Sequence, residues 1–143
     1  MIEVNRICKR FGRLEVLRDV SATFCLGGSY AVIGPNGSGK TTLIKSVLGM
    51  VLPDSGQITV DGIPIEGHWN YRRDIGYMPQ IGRYPDNMRM GQLFGMIRDL
   101  RQDVKDTDDE LIHELRLDDL FNKRMHTLSG GTRQKVSAAI SFL

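Results

Sequence analysis

Residues 34–42, Gly-Pro-Asn-Gly-Ser-Gly-Lys-Thr-Thr, constrain this chain more than any other stretch. They fit the pattern G-x-x-x-x-G-K-[ST] as Gly34, Gly39, Lys40 and Thr41. The flanks suit it: an apolar strand over 30–33 is expected to feed the loop, and an amphipathic helix to leave it. Glycines let backbone N–H groups turn inward on a phosphate chain. The helix start adds partial positive charge at the same point. Lys40 supplies a full charge on a flexible stem for β- and γ-phosphates. Thr41 supplies a hydroxyl for Mg²⁺, which takes few protein ligands and relies on phosphate oxygens and water for the rest.

At 143 residues the chain is one domain or part of one. Its net charge of +2 is too small to argue for nucleic acid, and none is expected as a partner. No apolar run approaches membrane-spanning length, and the N-terminus lacks a signal-peptide pattern. Cys8 and Cys25 sit in apolar, strand-like settings and read as small core side chains rather than a disulfide or metal pair. The reading at this point is reducing and cytosolic.

Residues 1–34 read as strands, with Ile2 and Val4, then Val20, Ala22 and Phe24, alternating with polar neighbours. Phe11 falls in the connection between the first two. There it either stacks on a purine base or closes the small sheet. The helix from Lys40 is expected to bury Leu43, Ile44, Val47 and Leu48 and to stop at Gly49. Residues 53–56 read as a turn, and Asp61-Gly62 as a tight hairpin between Ile58/Val60 and Ile63/Ile65. Asp54 and Asp61 are taken as turn formers. A short apolar strand is expected over 75–78, closed by Pro79-Gln80. Gln80 there is either a plain loop residue or one that reaches a metal or water at that sheet edge. Asn87 is expected to cap a helix burying Leu93, Phe94, Ile97 and Leu100. A second helix is expected to begin at the capping box Thr107-Asp108-Asp109-Glu110 and to bury Leu111, Ile112 and Leu115. Met78, Met88, Met90 and Met96 are spread over different elements and read as gap-filling packing rather than a copper site.

A second chemical stretch is Thr127-Leu128-Ser129-Gly130-Gly131-Thr132-Arg133-Gln134. Ser129 fits an N-cap, ahead of a helix burying Val136, Ala139, Ile140 and Leu143. Gly130 and Gly131 strip the helix start of side chains, which leaves amides, a hydroxyl and a positive dipole end open to an outside anion. Alone, the stretch is equally well a plain Ser-capped helix.

Together the two stretches resemble those of ATP-binding-cassette (ABC) ATPases. Leu128-Ser129-Gly130-Gly131, with Gln134 after it, is similar to their signature sequence. The 34–42 loop matches their phosphate loop in its variable positions, and Met78-Pro79-Gln80 resembles their Q-loop. Phe11 falls where they place an adenine-stacking aromatic. Thr132 stands where glutamine is commonest.

The resemblance implies an α/β P-loop NTPase fold with an antiparallel β subdomain and a small helical subdomain. Residues 1–80 would form the nucleotide-binding core and β subdomain, 81–128 the helical subdomain, and 129–143 the signature helix. It implies ATP and Mg²⁺ as ligands. Nucleotide would be held by Phe11, Gly34, Pro35, Asn36, Gly37, Ser38, Gly39, Lys40, Thr41, Thr42 and Gln80. Mg²⁺ would sit on Thr41 and Gln80, and Lys40, Gln80 and Ser129 would take part in catalysis. Leu128, Ser129, Gly130, Gly131 and Gln134 would act in trans, across a head-to-tail dimer with a second ABC ATPase domain. Closure would be passed through the Q-loop and residues 81–100 to transmembrane permease subunits. The implied role is the ATPase subunit of a transporter, export-like (ABC-2), peripheral on the inner face of the membrane. A ribosome-associated ABC ATPase and a non-hydrolysing nucleotide-binding module are the alternatives.

One family feature is missing. No acidic residue follows a buried apolar strand in the way the family's Asp-Glu pair does. The sheet strands that normally separate the 30–33 and 75–78 strands are missing too. The sequence is therefore expected to be an N-terminal fragment of a longer ATPase, marginally stable and inactive by itself.

Overall fold

A computed structural model describes residues 1–101 and 109–143. They form two compact units, Met1–Arg73 and Asp74–Leu143.

The first unit is built on a four-stranded antiparallel sheet of order β2-β1-β3-β4. Its strands are β1 (Ile2–Phe11), β2 (Leu14–Phe24), β3 (Ser55–Val60) and β4 (Ile63–Pro64). The alternation read at the N-terminus sets the register: Val4 lies between Ala22 on β2 and Ile58 on β3. Val4, Ile7, Leu17 and Ile58 form the buried face together with Leu43 of helix α1 (Lys40–Val47). Each such side chain contributes roughly 1.5–3 kcal/mol by leaving water. Asp61 and Gly62, with φ of 50° and 78°, make the tight turn between β3 and β4. Positive φ at both central residues matches the right-handed twist of the strands.

Several expectations fail in this unit. Residues 30–33 form no strand: no ladder partner lies beside them among the described residues, and Ile33 is 91% exposed. Tyr30 instead folds back on the end of β2. Its hydroxyl accepts from the Cys25 N–H at 2.8 Å, and its ring meets Phe24 edge-on at 5.3 Å. Cys25 is exposed rather than core. Ser55 and Gly56 belong to β3, not to a turn. On α1, Ile44 points outward and Ser46 is buried in its place, because the covered arc runs through 43 and 46. Phe11 is the last residue of β1, opposite Leu14, and is half-exposed.

The second unit is helical: α2 (Met90–Leu100), α3 (Glu110–Glu114) and α4 (Gly130–Phe142), with two short 3-10 turns between α3 and α4. Its core gathers Met90, Leu93 and Phe94 from α2, Ile112 from α3, Leu117, Met125 and Leu128 from the connections, and Val136 and Ala139 from α4. Phe121 stacks on Phe94 with ring centroids 5.6 Å apart. Residues 123–125 run beside the start of α2, with Met90 N–H donating to Lys123 O at 3.0 Å and Met125 N–H to Met88 O at 2.9 Å.

Here too the differences have local causes. Residues 75–78 form no strand and have no ladder partner among the described residues. Arg89, not Asn87, is the α2 N-cap, and its N–H donates to Gln92 Oε1 at 3.0 Å. Leu100, the last residue of that helix, is 76% exposed rather than buried. Ile140 is only half-buried. Met90 is core, but Met78 and Met96 are exposed and fill no gap. Thr107 and Asp108 lie outside the described residues, so the expected capping box does too; α3 begins at Glu110 after the N-cap Asp109.

Candidate functional site

The 34–42 loop is held in shape by its own backbone. Ser38 N–H donates to Pro35 O at 3.2 Å, and Leu43 N–H makes the first helical bond to Gly39 O at 2.8 Å. Gly39 is the N-cap at φ 91°, so no side chain caps α1. A Cβ at Gly39 would lie 2.7 Å from the Val16 carbonyl oxygen and 3.0 Å from Leu17 Cδ2. The loop is therefore seated directly on β2, and only glycine fits the seat. The Lys40 ammonium folds back over the loop and donates to Gly34 O and Pro35 O, both at 2.8 Å. A full positive charge thus stands at the mouth of an uncapped helix start, where an anion is favoured. Thr41 is exposed beside it. Its hydroxyl is a hard oxygen donor of the kind Mg²⁺ accepts alongside phosphate oxygens and water. No group of three or more His, Cys, Asp or Glu side chains exists among the described residues to make an all-protein cage. That donor set fits an ion that arrives with a phosphate chain.

Sequence reasoning missed two residues in this unit. Lys9 Nζ lies 2.7 Å from Asp54 Oδ1 and 5.6 Å from the centre of the Phe11 ring. The other Asp54 oxygen accepts the Arg10 N–H at 2.7 Å. These bonds, that of Lys9 first, hold the Asp54 carboxyl below its ordinary pKa. Asp54 reads as a turn former from sequence, since its partners lie more than forty positions away.

Gln80 and residues 128–134 fall in the second unit. Ser129 is the N-cap of α4: its Oγ accepts the Thr132 N–H at 3.1 Å and lies 2.9 Å from Thr132 Oγ1. Thr132 therefore gives the cap a second hydroxyl. Leu128 is buried and anchors the stretch in the core. Gly130, Gly131 and Gln134 are exposed, with nothing within 4 Å of a Cβ built on either glycine. Gln80 is exposed as well. Just after it, residues 81–84 and Asp86 border a recess of about 300 Å³ shared with Met125 and Arg133. Tyr84 on its wall is hydrogen-bonded to the buried Ser137 Oγ at 2.7 Å. The pair is 53 positions apart, and no sequence signal links them. No helix among the described residues is long and apolar enough to cross a membrane.

A family model described as "ABC transporter" matches residues 17–143. The chain belongs to the ABC transporter family. It is 32% identical to the sulfate/thiosulfate import ATP-binding protein CysA of Pectobacterium atrosepticum, over 99% of this chain and 46% of that one. It is 32% identical to the ABC transporter ATP-binding protein YtrB of Bacillus subtilis, over 99% and 48%. It is 31% identical to the Nod factor export ATP-binding protein I of a Rhizobium strain, over 99% and 48%. The chain thus spans about half the length of the curated relatives it matches. Among solved structures, an ATP-binding subunit of an ABC transporter superposes with a TM-score of 0.86 at 25% identity, covering 97% of this chain and 60% of that one. A putative ABC transporter ATP-binding protein from Pyrococcus furiosus gives 0.78 at 25% identity, over 98% and 68%. The fold is accordingly that of an α/β ABC ATPase domain, with the antiparallel β subdomain and the helices present and the sheet incomplete.

Proposed function

We propose that this chain is the nucleotide-binding part of an ATPase subunit that drives a membrane transporter. The observation that carries the reading is the Lys40 ammonium poised over the 34–42 loop at an uncapped helix start. The β- and γ-phosphates of ATP replace the Gly34 and Pro35 carbonyls as its partners. Backbone amides of residues 34–42 cradle the chain of phosphates, and Phe11 stacks on the adenine. Thr41 would hold Mg²⁺, a role the family resemblance gives Gln80 as well, and the ion would neutralise charge on the phosphate oxygens. The Ser129-Gly130-Gly131 helix start, with Leu128 as anchor and Gln134 exposed beside it, covers the nucleotide held by a second ABC ATPase domain. Its exposure and lack of covering side chains support that role. Hydrolysis is phosphoryl transfer to water, in which positioning and charge neutralisation do most of the catalysis. Residues 81–100 carry the closure to a permease subunit; the recess with exposed Arg83, Asp86 and Arg133 on its wall supports docking there. The subunit sits on the inner face of the membrane, and the short helical segment before Leu128 favours an ABC-2, export-like system.

The test is Lys40→Ala in the intact protein, with Mg-ATP affinity measured by titration. Charge-assisted hydrogen bonds contribute about 1.5–3 kcal/mol, so a loss of about tenfold or more is expected. Unchanged affinity would remove the assignment.

A further inference from the structure

We infer that Lys9, clamped by Asp54, is a positioning residue that presents the Phe11 ring to a purine base. The inference rests on the adenine-stacking reading of Phe11 given above. Lys9 and Phe11 are two positions apart on β1, and their side chains meet. The Lys9 ammonium stands 5.6 Å from the ring centre, within cation–π range. Lys9 is largely buried, at 16% side-chain exposure, while the Phe11 ring beside it is half-exposed. One part of the ring is thus backed by a fixed cation and another is open.

Asp54 fixes the cation. It takes Lys9 Nζ on one carboxylate oxygen and the Arg10 N–H on the other, each at 2.7 Å. Its own N–H donates to Cys8 O at 2.8 Å. Three bonds therefore staple residue 54 to three consecutive residues, Cys8, Lys9 and Arg10, immediately before the aromatic. With its charge used on Asp54, the ammonium is not offered to phosphate. Its remaining effect is on the ring. A cation against the π-system draws electron density toward itself and leaves the open part more favourable to an electron-rich purine. The staple also joins the base platform to the segment that leaves α1, the helix growing from the phosphate loop, so base and phosphates are registered against each other through Asp54.

The test compares two probes on the intact protein in the presence of Mg²⁺: ATP, and inorganic tripolyphosphate, which has no base. The readout is the ratio of their dissociation constants. Phe11→Ala is expected to reduce the preference for ATP by about fivefold or more. Lys9→Met keeps the apolar stem and is expected to reduce it by about two- to fivefold, with Asp54→Asn moving it in the same direction and Lys9→Arg restoring it. A Lys9→Met protein that keeps the full preference while Phe11→Ala loses it overturns the Lys9 role and leaves base stacking standing. Equal weakening of both probes by Lys9→Met also overturns it, because that is the mark of a merely structural residue. If Phe11→Ala changes nothing, base stacking falls and the Lys9 role falls with it.

Discussion

Two glycines in one loop make a controlled experiment. Gly37 and Gly39 both have positive φ, at 83° and 91°. A Cβ at Gly37 would meet nothing within 4 Å, whereas one at Gly39 would press on the Val16 carbonyl oxygen at 2.7 Å. Alanine at either position is forced into the left-handed region, which costs about 1–2 kcal/mol for an L-residue. Gly37→Ala should cost that and no more. Gly39→Ala adds overpacking against backbone that cannot swing aside, typically about 1–3 kcal/mol. The total for Gly39→Ala is then about 2–5 kcal/mol. Urea unfolding of the two variants of the intact protein without nucleotide, at matched m-values, reads the difference directly. Hydrogen exchange at the β2 amides near Val16 should show faster opening in Gly39→Ala alone. Equal destabilisation of the two, or a larger effect at Gly37, would refute the seating of the loop on β2.

Other outcomes follow from single contacts. Ser129→Ala removes the hydroxyl that caps α4 and should cost about 1 kcal/mol, seen as faster exchange of the Thr132 amide; Thr132→Ala keeps that amide bond and should cost less. Tyr84→Phe strands the buried Ser137 hydroxyl and should lower the unfolding free energy by about 1–3 kcal/mol, and adding Ser137→Ala should recover part of the loss. Asp54 has a folded pKa below its ordinary value of about 3.9, through Lys9 and Arg10. Its contribution is therefore fully present above about pH 4 and is lost as pH falls through the depressed folded value. Asp54→Asn should flatten the acid limb of a stability–pH curve and be indistinguishable in slope from the parent above pH about 5.

The parts of the fold that proved legible were those written in consecutive residues. The 34–42 loop, the Asp61-Gly62 hairpin and the Ser129 cap each depend on a few neighbours, and each forms where the residues dictate. The 30–33 and 75–78 segments show the limit. Their apolar runs announce burial in a sheet, but a strand exists only beside a partner, and no described residue supplies one. Helix faces were read only in part: on α1 Ile44 points outward and Ser46, two positions on, is buried instead, because the covered arc is set by tertiary neighbours that periodicity does not see. The Tyr84–Ser137 and Lys9–Asp54 pairs were invisible for a different reason. A hydroxyl or a carboxylate carries no mark of a partner dozens of positions away.

The two carbonyl bonds of Lys40 alter what any substitution there measures. The side chain is a tether as well as a charge: it ties both ends of its own loop when no guest is present. Truncating it frees two acceptors and lets the ring of backbone slacken, so part of the lost affinity is the entropy of gathering a loop that the parent keeps gathered. A methionine of similar reach would separate electrostatics from tethering only in part, since it can fill the space but cannot hold the carbonyls.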